Sequence, residues 1–294
     1  MACDRDVVTV VVPYPAGGSM DSTMRIVADA ASRATQRSFV VRNIGGGAGT
    51  IGVQHVLQQP ADGCTVLAGS LTTLVLAPAQ IASAGYGPAD FQPIGETGQT
   101  DYLVLAAPSL PVDRLQDLPA LAARRQSAIA AGHPGTESVQ YLALPILARQ
   151  LQIELLPVPY KGSAPMLNDL AGGHIDLAIV ASPAGAVAAE QGRAKLLARL
   201  SEWMASDAGG RTPPLESWAG WFVPQAVSER STAWLRQALL DALAAPEAVQ
   251  ALQRLGLTLP AATAQQDFAH RYARDAQRFS PRPGQVAPSP AHRR

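Results

Sequence analysis

The chain has 294 residues, 47% hydrophobic and 16% charged, enough to bury the core of one large domain or two of ordinary size. Lys+Arg and Asp+Glu number 23 each, a balance that excludes a general nucleic-acid or anionic-membrane binder, which needs a basic excess. Two cysteines and five histidines without metal-ligand spacing supply no zinc site, and no apolar run approaches the ~20 residues of a membrane span.

Residues 1–6 show neither a basic nor an apolar leader region, which on its own points to the cytoplasm or to a chain trimmed to its mature part. Val7–Val12 is a β-branched run too short for a helix and predicts a strand buried on both faces. Tyr14-Pro15-Ala16-Gly17-Gly18 ends it, and Ser19 or Asp21 is placed to cap a helix to about Gln36 with Met24, Val27, Ala28 and Ala31 on one face. A strand at 39–41, a glycine loop at 45–49, a helix at 50–59 and a strand at 65–68 follow. The pattern repeats with strands at 102–107, 128–131, 155–158 and 176–180 and helices at 115–125, 138–151 (Pro145 a kink) and 164–170. A Gly/Pro-rich stretch at 208–214 precedes a strand at 218–223 and helices at 231–244, 246–255 and 264–279. The Pro-, Arg- and Ser-rich residues 280–294 are expected to be disordered. Such alternation means crossover units on parallel sheets, and two sets of them predict two α/β lobes with a ligand cleft between.

Ligands of such sheets sit at strand-to-helix turns. In the first turn, Ala16, Gly17 and Gly18 lead into a helix start that suits an anion such as a carboxylate; the plainer reading is a tight turn using glycine for its backbone angles. Gly47-Ala48-Gly49-Thr50-Ile51-Gly52 meets the dinucleotide pattern G-x-G-x-x-G, but after the second strand and without a placed ribose-binding acid, so a nucleotide-dependent enzyme has slight support. No Gly-x-Ser-x-Gly elbow or acid/base carboxylate pair supports an enzyme otherwise. His133 is expected in a surface loop, with a place in the cleft as the alternative. A Cys3–Cys64 bridge is conceivable, though the spacing does not argue for it.

An ordered series of motifs carries a family resemblance. Val12-Pro13-Tyr14-Pro15-Ala16-Gly17-Gly18-Ser19-Met20-Asp21 resembles the opening P-(F/Y)-x-x-G-G-x-x-D of the Bug solute receptors, the extracytoplasmic binding proteins of tripartite tricarboxylate transporters. Val41-Arg42-Asn43-Ile44-Gly45-Gly46-Gly47-Ala48-Gly49 is similar to V-E-N-R-P-G-A-G-G, Ala61-Asp62-Gly63-Cys64-Thr65 to P-D-G-Y-T, and Asp90-Phe91-Gln92-Pro93-Ile94 to D-F-x-P-I. Val158-Pro159-Tyr160-Lys161-Gly162-Ser163-Ala164-Pro165 is similar to V-P-Y-K-G-x-x-P, and the series spans roughly residues 7–280.

The resemblance implies a periplasmic-binding-protein-like, Venus flytrap α/β fold: lobe 1 over 1–102, lobe 2 over 103–219, a return to lobe 1 over 220–279, then the tail. It implies a periplasmic, monomeric receptor for a small carboxylate that docks to two membrane subunits and needs no cofactor, metal or catalytic residue. Ligand contacts carried over are Tyr14, Ala16, Gly17, Gly18 and Asp21 in the first turn, and Ser70, Thr72 and Thr73 at the third strand's end. In the second lobe they are Gly135, Thr136 and Ser138, with Ala181 and Ser182 where many members carry an F-D pair. Glu137 and Tyr141 replace a family glycine and histidine; a Glu137 facing the pocket would repel a second carboxylate or pair with an amine. The alternative is a cytoplasmic small-molecule sensor on the same fold.

Overall fold

The computed structural model describes residues 3, 5–125, 127–136, 138–160, 162–205, 217–260 and 262–279; the expectations for Glu137, Lys161, 208–214 and 280–294 lie outside them. The chain divides into two compact units, one of residues 1–98 and 218–294, the other of 99–217.

The first unit opens with β1 (Val7–Val12), α1 (Ser19–Thr35), β2 (Ser38–Asn43), α2 (Thr50–Leu57) and β3 (Thr65–Ser70). A wide turn over Thr72–Leu76 leads to the short α3 (Ala77–Gln80) and to β4 (Phe91–Thr100), which carries the chain out of the unit. The second unit contains β5 (Tyr102–Ala106), α4 (Leu118–Arg124), β6 (Ile129–His133), α5 (Val139–Leu151) and β7 (Leu155–Pro159). It continues with α6 (Ser163–Ala171), β8 (Leu177–Ala181), α7 (Ser182–Glu190), β9 (Lys195–Arg199) and α8 (Leu200–Ala205). β10 (Ser217–Pro224), α9 (Glu229–Ala244), α10 (Pro246–Arg254) and α11 (Ala262–Arg278) return to the first unit.

Each unit holds one five-stranded sheet, ordered β2-β1-β3-β10-β4 in the first and β7-β6-β8-β5-β9 in the second. β1 runs parallel to β2 and β3, with Val8 opposite Phe39 and Val10 opposite Val66. β10 joins β3 antiparallel, Trp221 facing Ala68. In the second sheet β6 is parallel to β7 and β8, and β5 joins β8 antiparallel.

Alternation places Val8, Val10 and Val12 in the core with Met24 and Val27 of α1, Trp221, and Leu235 and Leu239 of α9. Phe39 stacks on Trp221 at 5.4 Å. The expectation that β1 is buried on both faces fails at its start. Val7 is 43% exposed.

β4 was not expected as a strand because Pro93, Gly95 and Gly98 interrupt its pattern. It forms at the sheet edge, where a proline removes no ladder bond. Side chains serve its outer backbone groups: Gln265 accepts from Glu96 N–H at 2.9 Å and donates to Glu96 O at 2.6 Å, and Arg236 donates to Ile94 O at 3.1 Å. Glu96 itself is fully buried and paired with Arg271.

The two cysteines form a disulfide closing a sequence separation of 61 residues, which fastens the N-terminal segment beside the start of β3. The bridge is a tertiary product that sequence spacing did not announce. Arg37 donates to Cys3 O at 2.6 Å, and Arg5 pairs with Asp62 at 2.9 Å on the same corner.

Two stability outcomes follow. Replacing Cys3 and Cys64 together by Ser lowers the unfolding free energy by up to about 4 kcal/mol in urea titrations, the entropy of closing a loop of 61 residues in the unfolded chain. Gln265→Ala lowers it by about 1–3 kcal/mol, since buried backbone groups of Glu96 lose their partners, and the same titration reads the loss.

Candidate functional site

In the first unit, three strand-to-helix turns converge at the carboxyl ends of β1, β2 and β3. The first turn is organised by Asp21, whose side chain is nearly fully buried. Its carboxylate accepts from Gly17 N–H at 2.8 Å, Arg25 Nε at 3.1 Å, Arg25 Nη2 at 2.9 Å and Asn43 Nδ2 at 3.0 Å. Asn43 also donates to Tyr14 O at 3.2 Å. The Arg25 hydrogen bonds hold the Asp21 carboxyl at about 2, against the opposing effect of burial, with Gly17 and Asn43 adding to the fall.

The capping expectation is corrected here. Gly18 is the N-cap, and Asp21, in the first turn of α1, reaches back to Gly17. Asp21 was carried over as a ligand contact, but its oxygens are committed to protein donors. Residues 15–19 are exposed, with Gly17 at φ 82°, and the first-turn N–H groups of α1 have no partner inside the helix.

The glycines of the second turn answer to packing. A Cβ on Gly52 would lie 2.5 Å from Ile44 O and 2.9 Å from Pro13 Cα; one on Gly49 would lie 2.6 Å from the Thr73 methyl and 3.2 Å from Pro13 O. Protein atoms thus occupy the space that makes glycine necessary at these two members of the G-x-G-x-x-G pattern.

At the third turn Ser70 and Thr73 are buried and interlocked. Ser70 N–H donates to Thr73 Oγ1 at 3.0 Å, Thr73 N–H donates to Ser70 Oγ at 3.2 Å, and the hydroxyl oxygens lie 3.2 Å apart. Tyr14 Oη is 3.2 Å from Ser70 Oγ, which joins the first turn to the third. Tyr86 donates to Thr73 O at 2.6 Å, and burial pushes its phenol up. Thr72 is half-buried at the start of the wide turn. The structure therefore brings Tyr14, Ala16, Gly17, Gly18, Ser70, Thr72 and Thr73 to one end of one sheet.

The second unit repeats the plan at the ends of β6, β7 and β8. Gly135 and Thr136 lead from β6, and Ser138 caps α5: Ser138 Oγ accepts from Tyr141 N–H at 3.1 Å and donates to Gly135 O at 2.6 Å. Thr136 is exposed. His133, expected in a surface loop, is the last residue of β6 and 2% exposed. Ala181 ends β8 and is the N-cap of α7. Ser182 N–H donates to Asp101 O at 2.9 Å, and Pro183 follows without an N–H.

Sequence reasoning missed Arg25, Asn43, Tyr86 and Asp101 as supports of these turns. Arg25 had a signal, since it stands four residues beyond Asp21 on a helix. The others act across long separations. Among the described residues, no group of three or more His, Cys, Asp or Glu could hold a metal ion, and no helix is long and apolar enough to cross a membrane.

Two α/β units with ligand-suited turns at the carboxyl ends of their parallel strands define the class of solute-binding proteins. Residues 23–281 match the family described as "Tripartite tricarboxylate transporter family receptor", and the chain belongs to it. It is 33% identical over 270 residues to a "UPF0065 protein in tcbD-tcbE intergenic region" of Pseudomonas sp. (strain P51), covering 85% of this chain and 77% of that one. A structure described as "R. palustris Rpa4515 with adipate" is 28% identical with TM-score 0.78, over 92% of this chain and 94% of that one. The periplasmic binding protein BugD shares the fold at 24% identity and TM-score 0.75, over 93% of this chain and 95% of that one.

Asp21 gives a pH-dependent outcome. Its folded pKa lies below the ordinary 3.8, so its stabilisation is present above about pH 4 and is lost as pH falls toward 2. Asp21→Asn lowers stability at pH 7 by at most about 2 kcal/mol, discounted because the Arg25 side chain is half exposed, and the gap to wild type narrows below pH 4 in parallel urea titrations.

Proposed function

We propose that this chain is a periplasmic, monomeric receptor that binds a small carboxylate and delivers it to two membrane subunits of a tripartite tricarboxylate-type transporter, without chemistry on the ligand. The observation that carries the reading is the first turn: exposed backbone at 15–19, first-turn N–H groups of α1 with no acceptor inside the helix, and Asp21 already ion-paired with Arg25 and hydrogen-bonded by Asn43. Helix-start N–H groups and the positive end of the macrodipole favour an anion there. Tyr14, Ser70, Thr72 and Thr73 supply hydroxyls near the same turn, directly or through bridging water. The turns containing Gly135, Thr136, Ser138, Ala181 and Ser182 are proposed as further ligand contacts. The adipate bound by the 28%-identical relative supports the ligand class.

The Cys3–Cys64 bridge favours the periplasm over the cytoplasmic-sensor alternative, because disulfides persist in oxidising compartments.

Thermal-shift and calorimetric screens with adipate, citrate, succinate, acidic amino acids and benzoate test the reading, with adipamide as the uncharged control. A carboxylate at 100 times its dissociation constant stabilises the folded chain by about 2.7 kcal/mol, and adipamide does not. Gly18→Asp is the sharper variant. Gly18 is an N-cap, and a Cβ there meets only Pro15 O at 3.6 Å, so an aspartate fits and caps the helix. Its charge would repel an incoming anion. The expected result is an unchanged or raised melting temperature with carboxylate affinity weakened by roughly tenfold or more. Undiminished affinity would place the anion elsewhere.

A further inference from the structure

The turn after β6 hangs on an imidazole. His133 Nδ1 accepts the Gly135 N–H at 3.2 Å, an arrangement that requires an unprotonated Nδ1 and so favours the neutral tautomer with its proton on Nε2. Gly135 stands at φ 148°, and its carbonyl accepts from Ser138 N–H at 3.2 Å and from Ser138 Oγ at 2.6 Å. Ser138 Oγ in turn accepts the Tyr141 N–H that starts α5. One chain of hydrogen bonds thus runs from the imidazole through the turn into the helix. His133 is held in place by its backbone carbonyl, which accepts Tyr160 N–H at 2.9 Å, and by the Tyr141 ring, whose centroid lies 4.7 Å from that of the imidazole.

We propose that His133 is a positioning residue for ligand binding: its Nδ1 holds the Gly135 N–H and, through Gly135 O, the Ser138 cap of α5, and protonation of Nδ1 releases that hold and weakens carboxylate binding in acid. Protonation places a hydrogen on Nδ1 against the Gly135 N–H, so that bond is lost and two donors face one another. Histidine is the side chain whose ordinary titration falls between about pH 5 and 8. The proposal rests on the carboxylate-receptor reading above for its ligand, but the hold on the turn does not.

Among the described residues, the titratable groups on the helices packed against β6 are Tyr141 and Arg149 of α5 and Asp169 of α6, with Tyr160 just beyond β7. Tyr160 donates to Asp169 Oδ2 at 2.7 Å, and burial together with that carboxylate pushes the phenol up to about 12. Glu137 and Lys161, neighbours in sequence, lie outside the described residues, and Glu137 is controlled by a variant.

Two measurements on the full chain test this. In the ligand-free protein, nitrogen-15 spectra from pH 5 to 8 should show His133 as the Nε2–H tautomer at pH 8, with the Gly135 amide resonance moving at the midpoint of His133. An Nδ1–H tautomer, or a Gly135 resonance indifferent to His133, overturns the proposal. Calorimetry then uses adipate and citrate at pH 7.5 and 5.5 on wild type, His133→Asn, His133→Ala and Glu137→Gln. His133→Ala should weaken binding at pH 7.5 and differ little from wild type at pH 5.5, where the protonated ring has already released Gly135. His133→Asn, whose Oδ1 can stand where Nδ1 stood, should rescue that loss and remove the His133 part of the pH dependence. Wild type should lose roughly tenfold more affinity toward pH 5.5 than His133→Asn does. The ligand's own ionisation is common to both and cancels. Equal profiles for wild type and His133→Asn, stronger binding in acid, or flattening by Glu137→Gln instead overturns the proposal. If wild type binds neither probe, the carboxylate reading falls, and the spectra alone decide whether His133 governs the turn.

Discussion

A carboxylate removed from water is stable only where donors replace the water, and Asp21 meets that condition with groups from the first turn, α1 and β2. Because Val12 and Asn43 are register partners in the parallel pair, Asn43 arrives beside the first turn whenever β1 and β2 form correctly. The turn's shape is therefore coupled to strand register. A one-residue slip of β2 would replace Asn43 by Arg42 or Ile44 at that place and remove the Asn43 donor from the carboxylate. The exposed backbone at 15–19 is tied to this cluster through Gly17 N–H on Asp21 and Asn43 on Tyr14 O.

The same plan is executed twice with different chemistry at the hub. In both sheets the first parallel strand is central, the second lies at an edge, and an antiparallel strand is inserted beside the third. That inserted strand is β10 in the first unit, distant in sequence from the other strands. The first sheet is then complete only after residues 217–224 have returned, a long-range pairing with a loop-closure cost in folding. Trp218 and Trp221 of that strand repay it by filling both faces: Trp221 against Phe39, and Trp218 against Phe268 with its Nε1 donating to Asp275 at 2.9 Å.

Much of this was legible in the sequence where one physical signal dominated. The β-branched run at Val7–Val12 and the apolar stripe of Met24, Val27, Ala28 and Ala31 appear as a strand and a buried helix face. The signal failed where tertiary context overrides local preference. β4 is a strand despite Pro93 and Gly95 because an edge tolerates them, and α7 is a helix despite Pro183 and Gly185 because the proline stands in its first turn and Gly185 packs against Leu103. For the candidate site, the motifs located the turns but not the direction of their side chains. Asp21, Ser70 and Ser138 all have oxygens engaged by backbone N–H groups a few residues away, a local use of polar side chains that a motif cannot distinguish from ligand binding.

The two sets of turns differ in their capacity for negative charge. The start of α1 offers N–H donors with no helical partner and an acid that is already neutralised. At α7, Ser182 N–H is taken by Asp101 O and Pro183 has none, which leaves less of the helix start to receive an anion. The polar side chains of the described residues in those turns include the hydroxyls of Thr136, Ser138 and Ser182 and the His133 imidazole, whose Nδ1 accepts from Gly135 N–H. On the carboxylate reading, the first unit carries the charge of the ligand through backbone donors. The turns of the second unit offer neutral hydroxyls in place of such donors. Neutral groups discriminate by shape and by hydrogen bonds left unmade, which rejects a wrong ligand without demanding a second charge from the right one.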